Sequence, residues 1–219
     1  MKKIILLFII SFILNISCKM DSEIYTNTKE ISEIINSLSP RVIELDNVLI
    51  KKQPTSSTCG ITTVTIMSNY FNSTNYEVSD LIKKYNVNSS RGSLRDDILR
   101  WLRGELPEKN IEYKSNGTSV ELIMNIYNLL NNNIPVPISF GSLNPYNKPF
   151  YDFHASVVYG INLDNETITI ANTYGYIEKL TLVEFLNAMS FTEIDKYPLF
   201  QQTALLRNNM EKNGYFLIN

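Results

Sequence analysis

One cysteine lies where a nucleophile is expected. The chain of 219 residues has two cysteines, and Cys59 follows the turn-rich segment 53–58 and opens a helical pattern. The apolar positions that follow are spaced as on one face of a helix, namely Ile61, Val64, Met67 and Phe71. Unpaired N–H groups and the macrodipole at a helix N-terminus favour a thiolate over a thiol. We therefore predict that Cys59 is a nucleophile in the first turn of a helix.

A base and an orienting group for this nucleophile are predicted in a downstream hairpin. His154, the only histidine in the chain, lies at the start of the clearest hairpin pattern, with strands at Phe153–Ile161 and Thr167–Ala171. The short turn between these strands brings Asn172 opposite His154, within the uncertainty of the register. An amide there can accept the ring N–H and orient the imidazole. Asp152, on the same strand face as His154, is a rival orienting group.

Donors for an oxyanion are available at the same cysteine. The backbone N–H of Cys59 is unpaired by its own helix, and Gln53 precedes it by six residues with a side-chain amide. One backbone donor and one side-chain donor can converge on a tetrahedral intermediate. Plainer interpretations exist for each residue. Cys59 can be a small buried hydrophobe and His154 a structural side chain, while Gln53 and Asn172 can be turn residues.

The remaining patterns predict an α+β domain over residues 41–219, with helices first and an antiparallel sheet afterwards. Helices are predicted from Cys59, over 76–85, after an N-cap at Ser93 with Asp96, after an N-cap at Thr118 with Glu121, and over 182–190. Strands are predicted over 134–140, 153–161, 167–171, 176–182, 202–206 and 215–218. Residues 42–51 are predicted as a strand or an extended segment, and 30–38 as a short helix.

The N-terminal residues have the layout of an export signal. Two lysines precede an apolar run from Ile4 to Leu14, which is shorter than the roughly 18 residues that a membrane span requires. Ser17 directly before Cys18 resembles a bacterial lipobox. The resemblance implies a lipoprotein signal peptide over residues 1–17, lipidation of Cys18, and a polar tether with a short helix over 18–40. An ordinary signal peptide or an uncleaved anchor is the alternative.

Composition argues against several partner classes. The net charge is −2 and no basic face stands out, so nucleic acid is not expected as a partner. One histidine and one available cysteine cannot supply the usual set of zinc ligands. The chain has neither a phosphate-binding loop nor a dinucleotide fingerprint. We expect no cofactor, and we expect the thiol of Cys59 to be unpaired if Cys18 carries a lipid.

The order of these residues resembles the papain-like cysteine peptidases. Gln53, five residues, Cys59-Gly60, a later His154 and then Asn172-Thr173-Tyr174-Gly175 are most similar to the bacterial C39-like family and more distantly to phytochelatin synthase. The resemblance implies a helical N-terminal half and a C-terminal antiparallel sheet half. It also implies roles for four residues: Cys59 as nucleophile, His154 as base, Asn172 as orienting group and Gln53 as oxyanion donor. C39-like members usually have Asp-Pro at positions 172–173, and Asn stabilises an imidazolium less than Asp does.

The lipobox and the peptidase resemblance together imply an exported, lipid-anchored cysteine peptidase or amidohydrolase. Its thiolate would attack the carbonyl of a peptide or protein substrate, and Cys18 would hold it on a membrane, at the cell surface or the periplasmic face. Two alternatives stay open. One is a surface lipoprotein that keeps the fold as a non-catalytic binding module, and the other is an acyl transferase that uses the same Cys59, His154 and Asn172.

Overall fold

The computed structural model describes residues 31–90, 92–143, 145–146, 150–206 and 211–219. The chain divides after Leu38 into two units. In the first unit, residues 31–35 are helical. The predicted signal peptide, Cys18 and much of the predicted tether lie outside the described residues. Within the described ranges, no helix has the length and apolarity needed to cross a bilayer.

The second unit, Ser39–Asn219, combines helices with one antiparallel sheet. Its described α-helices are α1 (Cys59–Asn72), α2 (Val78–Tyr85), α3 (Arg95–Glu105), α4 (Ser119–Asn131), α5 (Leu182–Ser190) and α6 (Leu199–Leu206). Its strands are β1 (Val42–Glu44), β2 (Ile111–Lys114), β3 (Val136–Leu143), β4 (Tyr151–Asn162), β5 (Thr167–Asn172), β6 (Tyr176–Thr181) and β7 (Gly214–Ile218). The strand order is β2-β7-β3-β4-β5-β6, with β1 paired to β4. The predicted α+β class, helical half before sheet half, is confirmed.

Two predicted helix N-caps can be compared with the structure, and one of them is displaced by one residue. At α4, the Glu121 N–H donates to Thr118 Oγ1 at 3.1 Å and the Thr118 N–H donates to Glu121 Oε2 at 2.8 Å, which is the predicted capping box. At α3, the capping residue is Leu94, whose N–H donates to Asp97 Oδ2 at 3.1 Å. The predicted cap at Ser93 is therefore one residue early, because the first-turn carboxylate that closes this helix end is the second of two adjacent aspartates.

One predicted strand is wrong. Residues 202–206 belong to α6, not to a strand. The carbonyl of Pro198 accepts the N–H groups of Gln201 and Gln202 at 2.9 and 3.0 Å, so the chain turns into a helix directly after the proline. A window of five residues is too short to show the helical period, so a strand and a helix end cannot be told apart by pattern there.

Helix α1 is the buried centre of the helical half. Its residues from Gly60 to Asn69 are buried, and it packs against β4 on one side and α3 on the other. A Cβ atom at Gly60 would lie 2.6 Å from the Ser93 Cβ and 2.9 Å from the Ile98 Cγ1. The glycine therefore allows the start of α3 to approach the first turn of α1, and this packing fixes the turn that carries Cys59.

A β-bulge decides which side chains of the hairpin share a face. The pairing of β4 with β5 shifts by one residue between Val158 and Gly160, so Tyr159 is an extra residue in β4. The register beyond this bulge places Asn172 on the face that carries His154. A one-residue slip exchanges the faces of a strand, so without the bulge Asn172 would lie on the face away from His154.

Candidate active site

The first turn of α1 keeps its N–H groups for the site. Thr58 is the N-cap of α1, but its hydroxyl makes no capping bond and instead donates to the Thr55 carbonyl at 3.0 Å. The N–H groups at the start of the helix therefore remain directed at whatever lies in front of it. Cys59, the first helical residue, is partly exposed and forms no disulfide within the described chain.

The electrostatics at Cys59 differ from the sequence-based prediction. Burial of the sulfur raises the pKa of Cys59 above its ordinary value. The backbone N–H of Ala155 lowers this pKa, the Asp152 carboxylate raises it, and the N–H groups of Gly60 and Cys59 itself lower it. The helix-end donors thus act in the predicted direction, but burial outweighs them. The prediction that Cys59 is acidified is wrong, and the thiol form is favoured.

His154 and Asn172 are in direct contact. The His154 Nε2 lies 3.0 Å from the Asn172 Oδ1, as the resemblance implies for base and orienting group. The contact is diagonal across the hairpin, since the register places Ser156 rather than His154 across from Asn172. Diagonal neighbours on one face are within reach of long side chains.

The neighbours of Asn172 define the tautomer of the imidazole. The Tyr174 backbone N–H donates to the Asn172 Oδ1 at 2.9 Å, and the Asn172 Nδ2 donates to the Glu178 Oε2 at 2.6 Å. A backbone N–H can only donate, so the Asn172 atom shared by Tyr174 and His154 is the oxygen. It follows that His154 carries its proton on Nε2. The Nδ1 of the neutral ring is then a base.

The imidazole is buried and covered by aromatic rings. His154 is 1% exposed, and the Tyr174 ring stacks on it with centroids 4.0 Å apart and planes 18° from parallel. Phe140 also packs near it, with the ring centroids 5.7 Å apart. Burial lowers the pKa of His154 to about 3, against the opposing effect of the Asn172 hydrogen bond. At neutral pH the ring is therefore uncharged.

Gln53 is held with a donor available. The residue is 1% exposed, and its Nε2 donates to the Thr55 carbonyl at 2.7 Å while its Oε1 lies 3.0 Å from the Thr173 hydroxyl. Its backbone N–H donates to the Thr173 carbonyl at 2.7 Å. Because the Thr55 carbonyl can only accept, the amide orientation is defined. Within the described chain, the second N–H of Nε2 has no partner, so it can donate to an oxyanion.

Thr173 links the two halves of the site, and sequence reasoning gave it no role. Its hydroxyl lies 2.9 Å from the His154 Nε2, 2.9 Å from the Ala155 carbonyl and 3.0 Å from the Gln53 Oε1. The hydroxyl can accept the His154 N–H and donate its single proton to one of the two oxygens. The sequence feature that could have indicated this role is the departure from Asp-Pro at positions 172–173, because threonine has a hydroxyl at the position where proline has none.

Asp152, the rival orienting group, is bonded to a glutamine of α6. The Asp152 Oδ1 accepts a hydrogen bond from the Gln201 Nε2, and the Gln201 Oε1 accepts the Phe153 N–H at 3.1 Å. Of the two candidates, Asn172 and not Asp152 is therefore the one whose side chain contacts the His154 Nε2. In the described ranges, no group of three or more His, Cys, Asp or Glu side chains is placed to hold a metal ion.

The helical N-terminal half and the antiparallel sheet of the C-terminal half are consistent with a papain-like fold. The model of the Peptidase_C39 like family matches residues 45–199, well over half of the chain. The chain therefore belongs to the Peptidase_C39 like family, whose members are related to papain-like cysteine peptidases. The match includes all four predicted site residues, Gln53, Cys59, His154 and Asn172. A search of curated proteins found no match.

Proposed function

We propose that this protein is an exported, lipid-anchored cysteine peptidase or amidohydrolase. The observation that carries the proposal is the hydrogen bond from the His154 Nε2 to the Asn172 Oδ1, which leaves Nδ1 as a base. The backbone N–H of Ala155, the residue after His154, is among the groups that lower the pKa of Cys59, so the sulfur lies near this strand. Nucleophilic catalysis needs the thiol close to its base, and His154, the proposed base, is the neighbour of Ala155 on β4.

The proposed reaction uses these residues in sequence. The Cys59 sulfur attacks the carbonyl carbon of the substrate while its proton passes to the His154 Nδ1, and the S–C bond forms. The Cys59 N–H and the Gln53 Nε2 donate to the oxyanion. The C–N bond then breaks, and the amine leaves with the proton from His154. Water gives a proton to His154 and attacks the thioester, which releases the acid and restores the thiol. Because burial disfavours both ions, we expect proton transfer to accompany attack.

Cleavage of a peptide mixture tests this function. Wild-type protein is expected to generate new peptide ends in a diverse peptide library analysed by mass spectrometry, and Cys59→Ala is expected to generate none. A parallel reaction with an added primary amine separates hydrolysis from acyl transfer, because a transferase would give amine-capped products. If the wild type gives neither product type on repeated libraries, the binding-module alternative is the better account.

The same assay measures the contribution of Gln53. Gln53→Ala is expected to lower turnover by about 10²–10³-fold, because one oxyanion donor is lost. Gln53→Glu keeps the size but replaces the donor with an acceptor, and a loss of similar size is expected. Retention of wild-type turnover in both variants would remove Gln53 from the site.

Membrane anchoring through Cys18 is the part of the proposal that rests on sequence alone. We expect the full chain, expressed in a bacterium with lipoprotein processing, to incorporate radiolabelled palmitate and to partition with membranes. Cys18→Ala is the matched variant and is expected to lose both properties. A palmitate-free wild-type protein in the soluble exported fraction would contradict the anchor and leave the ordinary signal peptide.

A further inference from the structure

A carboxylate lies directly behind the orienting amide. The Asn172 Nδ2 donates to the Glu178 Oε2 at 2.6 Å, a shorter contact than those of the same nitrogen with the Ser142 Oγ and the Tyr176 hydroxyl, both 3.4 Å. We propose that Glu178 is a fourth member of the site, a positioning residue that supplies the negative charge which Asn172 lacks. This inference rests on the proposed function and extends it.

The fold places Glu178 there through the second hairpin. Asn172 pairs with Tyr176 and Ile170 pairs with Glu178 in the β5–β6 ladder, so Glu178 lies diagonal to Asn172 on the same face. Glu178 is half-buried, whereas its strand neighbours Ile177 and Lys179 are exposed. A surface carboxylate gains little from one hydrogen bond, but a half-buried, short, charge-assisted one is strong. The hydrogen bond between Asn172 and Glu178 is therefore a specific contact that the pairing of β5 with β6 positions.

The contact changes what Asn172 can do for His154. A carboxylate that accepts from Nδ2 polarises the amide and makes Oδ1 a better acceptor, since hydrogen bonds in a chain reinforce one another. An imidazolium formed at His154 would then be stabilised, through Asn172, by a negative charge like the one that an aspartate provides in the usual Asp-Pro pattern. The chain Glu178–Asn172–His154 thus divides between two residues what one carboxylate does elsewhere in the family.

The surroundings of Glu178 act on its charge in opposite directions. Burial raises the pKa of Glu178 above its ordinary value, the Asn172 hydrogen bond lowers it, and the charge of Glu184 on α5 raises it. On its own strand Tyr176 is the nearby titratable group, and its pKa is raised to about 12, so the phenol stays uncharged at neutral pH. Ser142 on β3 completes the polar groups around the Asn172 amide. Asn172 is therefore the partner that stabilises the Glu178 carboxylate.

The test moves the charge rather than only removing it. Glu178→Gln keeps an acceptor for the Asn172 Nδ2 but removes the charge. Asn172→Asp with Glu178→Gln returns one negative charge, now on residue 172, with the glutamine amide donating to it. Glu112→Gln is the matched control, because Glu112 is an exposed glutamate on β2, the opposite edge of the sheet. Each full-length variant is first checked for a thermal unfolding transition.

The readout is the second-order rate of Cys59 alkylation by iodoacetamide as a function of pH, with the adduct located by peptide mapping. Glu178→Gln is expected to slow labelling at pH 7 by about tenfold, because the imidazolium that forms as His154 takes the Cys59 proton loses the stabilisation of one nearby charge. The acid limb of the profile, which follows protonation of His154, is expected to move to lower pH by about one unit for the same reason. The double variant is expected to regain most of that loss, and Glu112→Gln is expected to match the wild type.

Two results would overturn the role of Glu178. One is an unchanged pH–rate profile in Glu178→Gln, and the other is a double variant no faster than Glu178→Gln. The second result covers a purely structural role, because a lost packing contact would not be repaired by an aspartate at position 172. Alkylation needs no substrate, so this comparison stays informative even if the peptide library shows no cleavage.

Discussion

Replacement of His154 by glutamine is expected to slow peptide or amide hydrolysis by about 10³-fold or more, since a positioned general base typically contributes 10²–10⁴-fold and the same side chain also serves as the acid. Glutamine keeps the size of the side chain and an N–H that can donate to Asn172. The measurement is kcat/KM for any peptide that the wild type cleaves.

A matched comparison separates chemistry from folding. Thr65→Val removes a buried hydroxyl that donates to the Ile61 carbonyl within α1 at 2.9 Å. This hydroxyl has no part in the proposed reaction. This variant is expected to keep kcat/KM within a few-fold of the wild type. If His154→Gln loses less than about tenfold while it unfolds at a normal temperature, His154 is not the base.

Acidification is expected to destabilise the wild type through His154. The ring has a pKa of about 3 in the folded protein and an ordinary value of 6.5 when unfolded. Between these values the unfolded chain binds a proton that the folded protein does not, so the free energy of unfolding falls as pH falls from 6.5 towards 3. At pH 4.5, two units below 6.5, this effect is about 2.7 kcal/mol, at about 1.36 kcal/mol per unit.

Urea unfolding of the wild type and His154→Gln at pH 7.5 and pH 4.5 measures this effect. Other groups titrate in both proteins, so the difference between their two pH responses isolates His154. The wild type is expected to lose about 2–3 kcal/mol more than the variant over this range. Equal losses would mean that the imidazole is exposed to water or charged in the folded protein.

The candidate residues could be selected from the sequence because they are rare and their order is informative. The chain has one histidine, so any imidazole chemistry must use His154. Cys59 was readable from the change of turn-rich sequence into a helical period, and Asn172 from its place at the end of the β5 pattern. The structure brings His154 and Asn172 together and places Gln53 beside them through Thr173. Their roles in a reaction remain a prediction.

The parts that sequence did not predict depend on register and on burial. The bulge at Tyr159 puts Asn172 on the face of His154, and no local pattern marks it. The pKa of Cys59 is raised because the packing around its sulfur outweighs the helix end, and packing is a property of the whole fold. Glu178 was detectable in principle, since a three-residue turn at 173–175 sets a register that puts it on the Asn172 face.

The central claim is that Cys59 is a nucleophile served by His154. Wild-type protein, Cys59→Ala and His154→Gln should be treated with an electrophilic peptide probe, and the adduct should be located by peptide mapping. The account predicts one adduct, on Cys59, which is absent in Cys59→Ala and forms at least about tenfold more slowly in His154→Gln. Equal labelling of the wild type and Cys59→Ala, or equal rates in the wild type and His154→Gln, would contradict it.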